Sequence, residues 1–370
     1  MRTPTTPTAA PQIDLTQAHR AAPQAQGKTP LGFGLRFTDH MITIRWTEAH
    51  GWDTPRLQPY QPLTLDPAAV GLHYGQIVFE GLKAYRQPDD SIALFRPRYN
   101  AERLNKSATR LAIPALPEET FLGALNSLVH ADAAQVPSQQ GQSLYLRPYI
   151  MATEPMIGVR PAHEYLFVLI ASPVDPYFSS GVKPVSVWVT DTYTRTAPGQ
   201  TGDAKYPGNY ASGFLAQQEA IEHGCDQVVW LDATHRTHIE EMGAMNLFFV
   251  HQTHPNQPPH LTTPPLTGTL LPGAIRDTQL TLAADNGYTI NEQPTTIEEW
   301  QSGWQNGGIQ EVFATGTAAI ITPIKALHRA THQWHTPNRH HTIALHLRQQ
   351  LLDIQHGTAP DPHHWLTPTR

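Results

Sequence analysis

The sequence predicts an α+β protein built from two domains, and three observations carry that expectation. Short apolar segments of strand length dominate the first half, and in the second half such segments mix with helical periodicity. Between the halves the stretch Pro173–Pro184 (PVDPYFSSGVKP) breaks all periodicity with prolines and a glycine. A chain of 370 residues also exceeds the size at which single cores stop growing, about 250–300 residues. The expected organisation is a flexible tail over 1–28, an N-terminal domain over 29–172, a linker over 173–184 and a C-terminal domain over 185–370.

The elements follow in order. Residues 1–28 are rich in Pro, Thr, Ala and Gln and nearly free of large apolar groups, a composition that cannot form a core. That tail lacks the apolar stretch of a secretory signal and the arginines of a transit peptide. Order is expected from about Phe33. Met41–Trp46 alternates apolar and polar residues as a half-buried strand does, and Ile92–Phe95 reads as a second strand. Asn100–Leu111 reads as a helix, apolar on one side, with Arg103, Lys106 and Arg110 elsewhere. Ser143–Met151 and Tyr165–Ile170 are further strands. Beyond the linker come strands at Val185–Val189, Gln227–Leu231 and Asn246–Val250, with a helix from about Tyr210 to His223. Another helix is expected after Pro272-Gly273, running to about Asp285. Ile343, Leu347, Leu351 and Ile354 share one face of a closing helix, and Gly357 and Pro360 supply its stop signals.

Composition removes several function classes. A net charge of −6 and a pI near 6.4 argue against nucleic acid or an anionic membrane as partner, since both need a basic face. No apolar run approaches the roughly 20 residues that span a bilayer. The one cysteine, Cys225, excludes an intrachain disulfide and fits a reducing compartment, so the cytoplasm is the expected location. Histidine is abundant, at 21 residues, but many histidines lie in polar segments such as Thr253–His260 and His332–His341. No His-x-x-x-His pair falls beside a carboxylate on a helix, so no metal is expected.

Of six lysines, Lys205 has a distinctive setting. It lies in TGDAKYPGNYA, between Gly202 and Gly208 and beside Tyr206 and Tyr210. Flanking glycines let the backbone take positive φ and bring a ligand close to the main chain. A lysine there can carry an aldehyde cofactor covalently if desolvation or a nearby cation makes its amine available. On these residues alone, a surface-loop lysine between turn glycines is the simpler reading.

Lys-x-x-Gly-Asn-Tyr resembles the cofactor-lysine motif of branched-chain amino acid aminotransferases, class IV aminotransferases with the fold type IV of pyridoxal-phosphate enzymes. HYGQIVFEGLKAY (His73–Tyr85), LFRPRYNAERL (Leu94–Leu104) and LYLRPYIMATEPMIGV (Leu144–Val159) are similar to family segments, in the family's order. So are EEMGAMNLFFV (Glu240–Val250), TPPLTGTLLPGAIR (Thr263–Arg276) and FATGTAAIITPI (Phe313–Ile324). The resemblance spans roughly Phe33 to Ile324. It implies a smaller α/β N-terminal domain, a larger mixed C-terminal domain and a pyridoxal 5'-phosphate site between them.

The resemblance also implies roles. Lys205 would anchor the cofactor, Glu241 would keep its ring nitrogen protonated by opposite charge, and Tyr210 would bond its phenolic oxygen. Glu240 would be a solvated or structural acid. Arg103, the N–H groups of Ala274 and Ile275 at a helix start, and Thr317 would hold the phosphate. Thr317 and Ala318 would also take the substrate's α-carboxylate through their N–H groups. Phe33, Tyr74, Phe79 and Tyr145 would wall the pocket that buries the methyls of Leu, Ile and Val. Arg147 would meet the distal carboxylate of glutamate or 2-oxoglutarate, and Val159 would reach the pocket from another subunit, making the enzyme a homodimer or higher homo-oligomer. The implied reaction is a ping-pong exchange between amino acids and 2-oxo acids, with Lys205 as covalent anchor and general base.

Some positions depart from the family's pattern. Pro207 replaces the first glycine of Gly-Gly-Asn-Tyr, Ala244 stands for Thr or Gly, and Gln135 stands for Trp. TAAIIT (Thr317–Thr322) lacks the Cys-x-x-Cys of mitochondrial members, so no thiol switch is expected. Other readings share the lysine and glutamate. One is a D-amino acid aminotransferase or a lyase of the same fold, and another, motivated by Pro207 and Ala244, is a cofactor-binding protein without turnover. Arg147 and the aromatic wall favour the branched-chain reading.

Overall fold

The computed structural model describes residues 13–14, 31–176, 182–252 and 258–369. The chain divides into two units: the first runs to Val174 and takes in Trp365 onward, and the second is Asp175–His364.

The first unit's strands are β1 (His40–Thr47), β2 (Gly51–Trp52), β3 (Arg56–Pro59), β4 (Ile77–Phe79), β5 (Leu82–Arg86), β6 (Ile92–Phe95), β7 (Ser143–Ala152) and β8 (Glu164–Val174). Its helices are α1 (Val70–Tyr74), α2 (Pro97–Arg110) and α3 (Glu118–Ala131). The sheet is built on β7 and β8, which pair antiparallel from Ser143 opposite Val174 to Ala152 opposite Tyr165. Leu104 and Ala108 of α2 and Phe121, Leu125 and Leu128 of α3 share one core with Ile42, Leu144, Leu146 and Phe167 of the sheet. In α2, Pro97 occupies the first turn, where its missing N–H costs nothing.

The second unit's strands are β9 (Val185–Val189), β10 (Gln227–Leu231), β11 (Ile239–Met242), β12 (Met245–His251), β13 (His260–Thr263), β14 (Thr289–Glu292), β15 (Ile309–Gly316), β16 (Ile320–Arg329) and β17 (His332–His335). Its helices are α4 (Gly208–Ala211), α5 (Phe214–Glu222), α6 (Ala274–Asp285), α7 (Ile297–Asn306) and α8 (Thr342–Gln355). The order β11-β10-β9-β16-β15-β12 closes on itself because β11 also pairs β12, which removes two exposed edges. Val187, Val229, Leu247, Phe249 and Ala314 of this ring form one core with Ile297, Trp300 and Trp304 of α7. β9 and β10 are parallel, so the chain must cross over between them. Lys205, α4 and α5 lie in that crossover.

Several expectations need correction. The C-terminal residues belong to the first unit: β18 (Leu366–Pro368) pairs antiparallel with β6, and Trp365 is buried. The helix expected from Tyr210 to His223 is two helices, α4 and α5, interrupted at Ser212 and Gly213. Pro173 and Val174, assigned to the linker, end β8, and linker residues 177–181 lie outside the described residues. The tail also lies outside them, save Ile13 and Asp14, where Asp14 bridges to Arg56. Among the described residues no helix is long and apolar enough to cross a membrane.

Candidate active site

The loop before α4 is stitched by one side chain. Asn209 donates from Nδ2 to the carbonyls of Thr201 (2.7 Å) and Ala204 (3.0 Å), and its Oδ1 accepts from the Thr201 hydroxyl at 2.7 Å. Lys205 lies inside this stitched turn, half-buried, and its Nζ donates to the Tyr210 hydroxyl at 3.0 Å. Pro207 opens α4 with φ −55°, inside the range that proline imposes, so the departure at this position is accommodated. Gly202 is buried, and a Cβ there would come within 2.5 Å of the Thr269 backbone. The loop therefore rests directly on the chain that leads into α6.

Glu240 and Glu241 follow each other in β11, and both are buried. Glu241 Oε2 pairs with Arg195 Nε at 2.8 Å. Its Oε1 accepts from Asn246 Nδ2 at 3.1 Å and from the Leu271 N–H at 2.9 Å. Glu240 is not the solvated acid that one reading allowed. Its Oε1 accepts from the Thr269 hydroxyl at 2.5 Å, and burial, reinforced by the Glu241 charge, pushes its carboxyl up to about 7. Gly243 lies past the strand end, in the turn to β12.

Register gathers the remaining groups of this unit. Glu241 pairs with Asn246, and Asn246 with Thr315 of β15, so the three share one sheet face. The Thr315 hydroxyl is buried without a hydrogen-bond partner among the described residues. Thr317 and Ala318 lie in the turn that joins β15 to β16, immediately beyond. Asn246 Nδ2 also donates to the Leu271 carbonyl at 3.0 Å, and a Cβ on Gly273 would strike its Oδ1. Gly273 starts α6 without a side-chain cap, at the first-turn N–H groups of Ala274 and Ile275.

In the first unit, buried Arg103 forms a fork with buried Glu80, Nε to Oε1 and Nη2 to Oε2, each at 2.7 Å. Asn100 Nδ2 adds a bond to Glu80 Oε2 at 2.8 Å. Next to Glu80, Gly81 lies so close to Tyr145 that a Cβ would strike the phenol oxygen. Arg147 Nη2 donates to that hydroxyl at 2.8 Å, and its Cζ lies 4.9 Å from the Phe79 ring. The Arg147 Nε is buried with no partner among the described residues. Phe33 meets Tyr145 edge to face at 5.0 Å. Thus Phe33, Phe79, Tyr145 and Arg147 form one cluster. Tyr74 stands apart, its hydroxyl donating to the Ile157 carbonyl at 2.6 Å, beside exposed Ile157 and Val159.

Among the described residues one group of three side chains has the donor types to hold a metal: Asp232, His235 and His238. Helical spacing does not reveal it, because it lies on a turn. Burial pushes Asp232 up, but N–H groups of His235, His238 and Thr237 outweigh it and hold the carboxyl at about 2. Both oxygens are engaged by those donors at 2.6–3.0 Å, and the two histidine Nδ1 atoms lie 3.5 and 3.6 Å away. The carboxylate closes the turn.

Sequence reasoning missed Arg195, Glu80, Gly81 and Thr269. Glu80 carries a signal, a lone charge inside the apolar run QIVFEGL, whereas Arg195 in TYTRTAPGQ follows no pattern.

Comparison with known proteins adds the following. Residues 77–327 match the family of class IV amino-transferases. The chain is 50% identical over 368 residues to a probable branched-chain-amino-acid aminotransferase of Streptomyces coelicolor, covering 99% of each. It is 50% identical to a branched-chain-amino-acid aminotransferase of Mycobacterium tuberculosis over 96% of this chain and 97% of that one. The crystal structure of the Escherichia coli branched-chain amino acid aminotransferase superposes with TM-score 0.73 at 26% identity, over 90% of this chain and 100% of that one. A branched-chain amino acid aminotransferase from T.th., solved with pyridoxamine 5'-phosphate, superposes with TM-score 0.67 at 26% identity, over 88% of this chain and 98% of that one.

Proposed function

The chain belongs to the class IV aminotransferases, in their branched-chain-amino-acid group, and from that premise we propose that it moves the amino group of leucine, isoleucine or valine reversibly to 2-oxoglutarate. Pyridoxal 5'-phosphate is its cofactor. The donor set fits that group: an amine beside a phenol, a carboxylate fixed in burial for a ring nitrogen, an uncapped helix start for a phosphate. The Thr315 hydroxyl, without a partner among the described residues and on the face shared with Glu241 and Asn246, supports the same reading.

One observation carries the proposal: Lys205 Nζ lies 3.0 Å from the Tyr210 hydroxyl, in a loop whose form Asn209 dictates. When bound, the cofactor supplies an electron sink for the charge left as an α-proton departs. Lys205 Nζ, held beside Tyr210, would take the substrate's α-proton and give it back in the second half of the exchange. Tyr210 orients the amine, and Glu241 offers a fixed carboxylate to the ring nitrogen. Ala274, Ile275, Thr317 and Arg103 are the groups read for the phosphate, and the N–H groups of Thr317 and Ala318 for the substrate carboxylate.

Phe33, Phe79 and Tyr145 supply apolar walls for branched side chains, and Tyr74 is read with them. Arg147 supplies the charge that glutamate and 2-oxoglutarate need, and its Nε, without a partner among the described residues, supports an anion arriving there. Exposed Ile157 and Val159 support an assembly of at least two chains, in which Val159 serves a neighbour's pocket.

The test is a half-reaction. Protein loaded with pyridoxal 5'-phosphate and given leucine without an acceptor should release one equivalent of the matching 2-oxo acid per site and retain pyridoxamine 5'-phosphate. Release of no 2-oxo acid contradicts the proposal.

A further inference from the structure

Arg195 belongs to no helix or strand, yet its side chain is buried and makes polar contacts through Nε and Nη1. It lies in the segment that follows β9 and precedes the Lys205 loop. Nε forms an ion pair with Glu241 Oε2 at 2.8 Å. Nη1 donates to the carbonyl of Gly202 at 3.1 Å and to that of Thr269 at 2.8 Å. One planar guanidinium thus touches three things at once: the acid read for the cofactor's ring nitrogen, the turn that carries Lys205, and the chain that leads into α6. Only a rigid fork with several donors has this reach; a lysine ammonium is a single point on a flexible stem.

We propose that Arg195 is a positioning residue that fixes the Glu241 carboxylate where the cofactor's ring nitrogen meets it and locks that acid to the Lys205 loop. The inference rests on the cofactor-site reading above. Stability is a poor explanation for such a pair, since buried ion pairs often add nothing over well-packed apolar groups. Preorganisation is a better one. A glutamate side chain has several rotamers, and a carboxylate that must meet one ring atom gains from having only one open to it. Asn246 and the Leu271 N–H hold Oε1, and Arg195 holds Oε2, so both oxygens are fixed from different elements before any ligand arrives. Thr196 extends the bracket, its hydroxyl donating to the Thr269 carbonyl at 2.9 Å.

The test uses pyridoxamine 5'-phosphate, which bears the ring and phosphate but no aldehyde, so that its binding bypasses the lysine bond. Its dissociation constant is read by tryptophan fluorescence for wild type, Arg195→Gln, Glu241→Gln and the double variant, alongside the thermal midpoint of each cofactor-free protein. Arg195→Gln and Glu241→Gln should each weaken binding about tenfold or more, and the double variant no further than Glu241→Gln alone. If the two losses multiply, or if Arg195→Gln lowers only the thermal midpoint, Arg195 does not act through Glu241 and the proposal is overturned. If Glu241→Gln itself leaves binding unchanged, the ring-nitrogen reading of Glu241 falls and takes the proposal with it, an outcome distinct from failure at Arg195 alone. Should Arg195→Gln not fold, Arg195→Lys replaces it in the same cycle, with a loss again expected only when Glu241 is present.

Discussion

Glu240 and Glu241 are adjacent and both buried, yet their surroundings differ. Glu241 faces a guanidinium, whereas Glu240 has a threonine hydroxyl and the neighbouring acid. Burial favours the neutral form of Glu240, so the folded state binds its proton more tightly than the unfolded chain does. The resulting stabilisation is present below the ordinary value of 4.5 and lost as pH rises to about 7. The urea midpoint of the cofactor-free protein should therefore fall between about pH 5 and about pH 8, and Glu240→Gln should flatten that fall. An equal fall in both proteins would mean that Glu240 titrates normally. Arg147 yields a second prediction. Arg147→Ala should reduce kcat/KM for 2-oxoglutarate at least about tenfold more than for leucine, because only the former brings a second carboxylate. Equal losses in a steady-state comparison count against the distal-carboxylate role. The sequence made Lys205 and Arg147 legible through motifs. It did not reveal Arg195 or Thr269, whose work is done through contacts with residues distant in the chain.

At the scale of elements, boundaries set by local chemistry were the most readable. α6 begins one residue after Gly273 and ends at Asp285, as the Pro-Gly start signal implied. Ile92–Phe95 and Val185–Val189 are strands over the residues expected. The expected helix Tyr210–His223 breaks at Ser212 and Gly213, residues of low helix propensity, into α4 and α5. α7, for which no helix is expected above, opens with a capping box in which Thr296 accepts from the Glu299 N–H and the Glu299 side chain accepts from the Thr296 N–H. The crossover between β9 and β10 carries Lys205, and Gly202 is where it lies closest to the backbone of another segment. A Gly202→Ala methyl would press on the Thr269 backbone, which cannot swing aside as a side chain does. The substitution should destabilise the fold by about 1–3 kcal/mol in urea unfolding and loosen cofactor retention. Unchanged unfolding and retention would show that the two segments are not in firm contact.

For the whole molecule, the chain passes from the first compact unit to the second between Val174 and Asp175, and its last residues, from Trp365 onward, return to the first. The β18 segment is short and polar, and its pairing with β6 is set by partners far away in sequence, which no local pattern records. Cys225, the sole cysteine, is buried and pushed up to about 11 chiefly by burial, so its thiol is poorly suited to redox sensing. Val159 is 88% exposed and sits near exposed Ile157 and Tyr74, an apolar patch that calls for a covering partner. Sedimentation should find a dimer or larger homo-oligomer, and Val159→Asp should raise KM for leucine or shift the protein towards monomer. A fully active wild-type monomer would contradict this assembly. Lys205 is the centre of the proposed chemistry, and borohydride reduction of the cofactor-loaded protein followed by peptide mapping tests its role directly. The reduced phosphopyridoxyl group should appear on the peptide containing Lys205 and on no other lysine, with Lys205→Ala unlabelled and without turnover. Label on another lysine, or transamination that persists in Lys205→Ala, would contradict the account.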